Sequence, residues 1–208
     1  MITKEIAALM ALRVYEQNIN NPANFPIFPY QGWEKLPSPL PTTDGFAYGV
    51  FRNAATNEIV ISYRGTDGAV GMMGADGVNN AGLAFGQATS QALQAAKVYV
   101  KVLELYGSDT AGSNISLTGH SLGGGLAGIM AVWFARPAIV FDPAPFQAVV
   151  ESLDSKNAIW TALGVYAPQA FRDYVAATDL ISREAAVQRH YTTGEFIDVL
   201  LSNSGNTI

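Results

Sequence analysis

The segment Gly119-His120-Ser121-Leu122-Gly123, continued by Gly124 and Gly125, constrains the fold more than any other part of this 208-residue chain. A short β run, Ile115-Ser116-Leu117-Thr118, leads into it, and an apolar stretch of helical character, Leu122–Phe134, leads out. A serine on so tight a strand-to-helix turn is held in a strained conformation, with its hydroxyl pushed out of the sheet. Side chains at the flanking glycines would strike the neighbouring strand and helix. A second β run, Ala138–Phe141, follows the helix. A strand, helix, strand order implies parallel pairing. The expected fold is therefore α/β, with a mostly parallel central sheet and helices on both faces.

The remaining segments fit this frame. Residues 1–20 read as a first helix, and the prolines at 22, 26, 29, 37, 39 and 41 predict a loop over 21–45. Two β-rich runs, Phe46–Arg52 and Glu58–Arg64, flank Asn53-Ala-Ala-Thr-Asn57 and predict a hairpin. Leu93, Ala96, Val100 and Leu103 recur at helical spacing and predict a helix from Ser90 to Tyr106. Tyr174–Thr178 and Val187–Thr192 are candidate later strands, although residues 170–185 also fit a helix with Phe171, Val175, Thr178 and Ser182 on one face. No internal repeat or linker divides the chain, so one domain over 1–208 is expected.

Composition removes whole classes of function. The chain has no cysteine, which excludes disulfides, thiolate metal sites and a cysteine nucleophile. With two histidines, His120 and His190, a histidine-rich metal site is not expected, and no metal or organic cofactor is implied. The net charge of −5, with no basic run to offset it, argues against nucleic acid as a partner. No apolar stretch is long enough to span a membrane. The N-terminal apolar run, Ile6–Leu12, follows Glu5 and lacks a credible cleavage site, so it reads as helix rather than signal peptide. A soluble chain is expected, with its compartment open.

Gly119-His120-Ser121-Leu122-Gly123-Gly124 resembles the nucleophile elbow of the class 3 lipases, members of the α/β-hydrolase superfamily. A second match lies upstream, Ile59-Val-Ile-Ser-Tyr-Arg-Gly-Thr-Asp67. In that family a strand ends in Arg-Gly-Ser/Thr, and the Ser or Thr contributes to the oxyanion hole. The resemblance covers roughly residues 44–145. It implies an α/β-hydrolase fold and a serine hydrolase acting on carboxylic esters, lipid esters foremost. Transient contact with a lipid surface would accompany that activity. Phospholipase and thioesterase activities of the same fold remain open, as does a catalytically inactive binding module.

The resemblance assigns roles. Ser121 attacks the ester carbonyl, and Leu122, the residue after it, supplies one oxyanion N–H. Thr66 supplies the second. A general base is also needed, normally a histidine held by a carboxylate. His120 sits beside the nucleophile on a turn where adjacent side chains diverge, which leaves His190. Three carboxylates compete as its orienting acid. Asp179 would end the strand Tyr174–Thr178 and give a compact layout similar to that of cutinases. Asp142 ends the strand after the nucleophile helix, near where pancreatic-type lipases place their acid. Glu195 would follow the strand Val187–Thr192, although Thr192-x-x-Glu195 also fits a capping box. Class 3 lipases usually carry their histidine well beyond the acid, so a chain ending at Ile208 is expected to be C-terminally incomplete if His190 is not the base. Gly68–Gly86, with Val70, Met72, Met73, Val78, Leu83 and Phe85 among its glycines, is a candidate lid.

Overall fold

The computed structural model describes residues 2–15, 28–41, 46–65, 85–109, 112–176 and 181–191. Six strands form one sheet in sequential order. They are β1 (Trp33–Leu36), β2 (Tyr48–Asn53), β3 (Ile59–Tyr63), β4 (Ile115–His120), β5 (Ala138–Phe141) and β6 (Val187–His190). The first three pair antiparallel, with Leu36 opposite Val50 and Tyr48 opposite Tyr63. The last four pair parallel, with Tyr63 beside Gly119, His120 beside Phe141 and Phe141 beside His190. The expected hairpin and the mostly parallel arrangement are both present.

The parallel strands β3, β4 and β5 are buried along their whole length. That is why they read as nearly continuous apolar runs rather than as alternating patterns. One face of the sheet carries α1 (Lys4–Arg13), packed on Phe51, Val60, Ile139 and Phe141. Thr3 caps this helix by accepting the Ile6 N–H at 3.3 Å. Ala7 and Ala11 are fully buried and let the helix approach closely. Two buried hydroxyls then tie the sheet to it. Ser62 donates to the Met10 carbonyl at 3.0 Å, while Thr118, which donates to the Ile139 carbonyl at 2.7 Å, lies 3.2 Å from the Ala7 carbonyl.

The opposite face packs Val50, Ile59, Ile61, Leu117 and Val140 against α2 (Phe85–Tyr106) and α3 (Leu122–Phe134). Helix α3 is buried from Gly123 to Phe134. Its glycines are poor helix formers, so packing rather than propensity stabilises it. The link from β5 to β6 runs through α4 (Gln147–Glu151), α5 (Leu153–Leu163), a single 3₁₀ turn (Gly164–Tyr166), α6 (Gln169–Ala176) and α7 (Ile181–Glu184).

Several expectations are corrected. The loop over 21–45 contains β1, whose four residues fall between Pro29 and Pro37 and pair along the outer edge of β2. Helix α2 starts at Phe85, so residues 85 and 86 of the candidate lid are helical; the rest of that segment lies outside the described residues. The strand Tyr174–Thr178 is replaced by α6. Phe171 and Tyr174, one helical turn apart, are both fully buried, which satisfies a helical rather than an alternating pattern. Asp179 therefore loses the strand end that recommended it, and it lies outside the described residues itself. Among the described residues, no helix is long and apolar enough to cross a membrane.

Candidate active site

Ser121 occupies the turn between β4 and α3 at φ 56°, ψ −127°. A positive φ is uncommon for a non-glycine residue and costs on the order of 1–3 kcal/mol. Three backbone hydrogen bonds hold it there. The Ser121 N–H donates to the Phe141 carbonyl at 3.0 Å, and the Ser121 carbonyl accepts from Gly125 and Ala144, each at 3.0 Å. The turn is thus anchored to the end of β5 on one side and to its own helix on the other.

The flanking glycines have a steric cause. A Cβ on Gly119 would lie 2.5 Å from the Gly123 carbonyl carbon and 2.8 Å from the Tyr63 carbonyl oxygen. A Cβ on Gly123 would collide with the Tyr63 carbonyl and lie 2.7 Å from the carbonyl carbon of Arg64. All of these neighbours are backbone, which cannot move aside cheaply. Strand β3, strand β4 and helix α3 therefore meet at a separation that only hydrogen side chains allow.

Ser121 is half-buried, and its hydroxyl makes no capping bond to α3. Among the described residues, no hydrogen bond engages its Oγ. Leu122, also half-buried, opens α3. The first N–H groups of a helix have no intrahelical acceptor and carry the positive end of its dipole. Gly65 lies against the elbow from the β3 side. A Cβ there would fall 3.5 Å from Ser121 Cβ and 3.2 Å from the His120 carbonyl. Thr66, the next residue in the chain, lies outside the described residues, as does Glu195.

His120 points into the α1 face. It is 4% exposed, and its ring meets the Tyr15 ring edge-on at 6.3 Å. Burial pushes its imidazole below the ordinary histidine range, against a smaller opposing pull from Asp142. The divergence of adjacent side chains expected from the turn is what places it there.

His190 ends β6, two strands from β4, and its ring stacks on Phe141 with centroids 5.7 Å apart. Strand spacing puts its backbone roughly 10 Å from the His120–Ser121 step. Its Nε2 is buried without a hydrogen-bond partner among the described residues. Asp142 donates its backbone N–H to the His190 carbonyl at 2.8 Å and has φ 42°. Of the three carboxylates considered, Asp142 is the one in the described structure, and it is adjacent to His190. Tyr15, whose phenol oxygen accepts the Gly65 N–H at 2.9 Å, is a site-adjacent residue that motif reading gave no reason to single out.

The match to a family of known proteins spans residues 7–191, most of the chain, and the family model is that of the Tle-like phospholipase domain. The chain belongs to that family. Both the elbow and the Arg64-Gly65 strand end fall inside the matched span. Membership makes the chain part of a phospholipase-like group of hydrolases whose chemistry concerns lipid esters. No curated protein matches the chain. Among the described residues, no cluster of three or more His, Asp or Glu side chains suits a metal ion.

The buried imidazole of His120 makes stability pH-dependent. Its folded pKa lies below the ordinary value of 6.5, so the unfolded chain binds the proton more readily. This contribution is fully present above about pH 6.5 and is lost progressively as the pH falls below it. Urea unfolding between pH 7.5 and 5 should show a decline that is shallower in His120→Gln. Equal slopes for the two proteins would remove His120 as the cause.

Proposed function

We propose that the chain is a serine hydrolase of the α/β-hydrolase type that cleaves the carboxylic ester bonds of lipids, phospholipids foremost, through an acyl-enzyme on Ser121. The observation that carries this reading is the backbone of Ser121. A serine held at positive φ between a parallel strand and a buried helix, with glycines on both sides that tolerate no Cβ, has its hydroxyl free for attack. A structural serine needs none of that strain. The family match supplies the substrate class, and the two sequence motifs support a class 3 lipase-like arrangement of the nucleophile and oxyanion strand.

Ser121 Oγ attacks the ester carbonyl, and the oxyanion is met by the Leu122 N–H at the head of α3 and by Thr66 beyond Gly65. Preorganised donors of this kind act in the transition state, and each contributes on the order of 3 kcal/mol. The base takes the serine proton and returns it to the leaving alcohol. Water then releases the acid. His120 is ill suited to the base role because it is buried on the α1 face. That assigns the role to His190, whose ring must leave Phe141 to reach Ser121. Asp142 is the carboxylate best placed to orient it; the compact cutinase-like pairing with Asp179 loses its support with the strand that carried it.

Three measurements follow. A fluorophosphonate probe should label the wild type stoichiometrically at Ser121. Ser121→Ala should remain folded, resist labelling and retain less than about a few percent of p-nitrophenyl ester and phosphatidylcholine hydrolysis. Substantial residual turnover in clean protein would overturn the assignment. Thr66→Ala keeps the backbone N–H and removes only the hydroxyl, so kcat should fall by about tenfold or more, with KM little changed, where the hydroxyl joins the N–H in meeting the oxyanion in the transition state. A change confined to KM would move Thr66 to substrate binding. Finally, His190→Ala should cut kcat by roughly three orders of magnitude. A loss of only about threefold would give His190 to packing on Phe141 and the base to another group.

A further inference from the structure

We propose that Tyr15 is a positioning residue for the oxyanion side of the site, an inference that rests on the Ser121 reading and extends it. Tyr15 follows α1 and is 4% exposed. Its own N–H donates to the Leu12 carbonyl at 3.0 Å, which fixes its backbone to the end of the helix. Its hydroxyl oxygen accepts the Gly65 N–H at 2.9 Å, a contact between residues 50 positions apart in the chain.

The geometry gives this bond a particular consequence. It fixes the peptide plane between Arg64 and Gly65. The next peptide in the chain carries the Thr66 N–H, the proposed second oxyanion donor. Anchoring one peptide narrows the directions in which its neighbour can point, since only the two dihedrals of Gly65 separate them. Gly65 would otherwise be the most permissive hinge in this segment. The tyrosine oxygen also occupies the space where a side chain would go, because a Cβ on Gly65 would lie 2.5 Å from it. The same ring meets His120 edge-on, immediately before the nucleophile. One side chain therefore meets both segments that converge on Ser121, one at the Gly65 backbone and the other at the His120 ring.

A residue acting this way changes the transition state more than substrate binding, because a small misplacement of a donor weakens its bond to the developing charge. The test compares the full-length wild type, Tyr15→Phe and Tyr15→Leu, each measured well below its unfolding temperature. The readouts are kcat and KM on p-nitrophenyl butyrate and the rate of fluorophosphonate labelling. Tyr15→Phe keeps the ring and loses the acceptor. It should lower kcat by about tenfold or more, leave KM within about twofold and slow labelling in step. If Tyr15 only fills space, Tyr15→Phe will match the wild type and Tyr15→Leu alone will be impaired, which overturns the proposal. Should Tyr15→Phe not fold, 3-fluorotyrosine at position 15 keeps the shape and weakens the acceptor; an unchanged kcat then overturns the proposal equally. A wild type that is not labelled at all sinks the Ser121 reading and this inference with it. A labelled wild type matched by Tyr15→Phe sinks the inference alone.

Discussion

The contact on which the rest of the arrangement depends is the one between the end of β3 and the head of α3. The Tyr63 carbonyl lies where any side chain at Gly119 or Gly123 would have to go. This is a contact of backbone with backbone, and neither side can yield by rotating a torsion. It sets the distance of the nucleophile turn from β3, and through β3 from Gly65. Repulsion at short range is steeper than any attraction in the protein, so a site built on it is located to within a few tenths of an ångström. The Ser121 N–H donating to the Phe141 carbonyl, and the Ala144 N–H donating to the Ser121 carbonyl, then fix the turn against the end of β5.

The central layer of the molecule, together with α1, α2 and the β2–β3 hairpin, was readable from the sequence; the edge strand β1 and the stretch around Tyr174 were not. Strands β3, β4 and β5 and helix α3 are buried almost throughout, so apart from His120 every position along them is apolar or small. The elbow was legible for the same reason, since sterics there permit one residue type. Strand β1 was hidden because it has four residues and lies at an edge, where packing constrains only one face. The stretch around Tyr174 was ambiguous because a short segment satisfies a period of 2 and a period of 3.6 nearly equally well. Phe171 against Trp133 and Phe134 decides the matter, and those are tertiary contacts.

The same distinction divides the site. Ser121 and Leu122 are local features of one turn, so a motif is enough to propose them. The base and the acid depend on which strand ends are neighbours, which is a property of the sheet order. Residue counting favoured Asp179, yet the sequential order of strands brings Asp142 beside His190 through a backbone hydrogen bond. Tyr15 was invisible because its bond to Gly65 joins two segments with no shared pattern. A buried tyrosine that accepts a backbone N–H leaves no periodicity behind it.

The docking of α1 also bears on how the chain becomes active during synthesis. This helix is made before every strand it docks on, yet its carbonyl contacts are with Ser62 and with Thr118, the latter 111 positions from Ala7, and its apolar partners include Ile139 and Phe141. Closing a loop of that size costs entropy that local contacts cannot offset in advance. A nascent chain must therefore extend past β5 before α1 can seat. Tyr15 reaches Gly65 only once α1 is seated. The Tyr15–Gly65 contact is therefore among the late events of folding: the order of synthesis delays it until β5 has been made, however early Tyr15 and Gly65 themselves emerge.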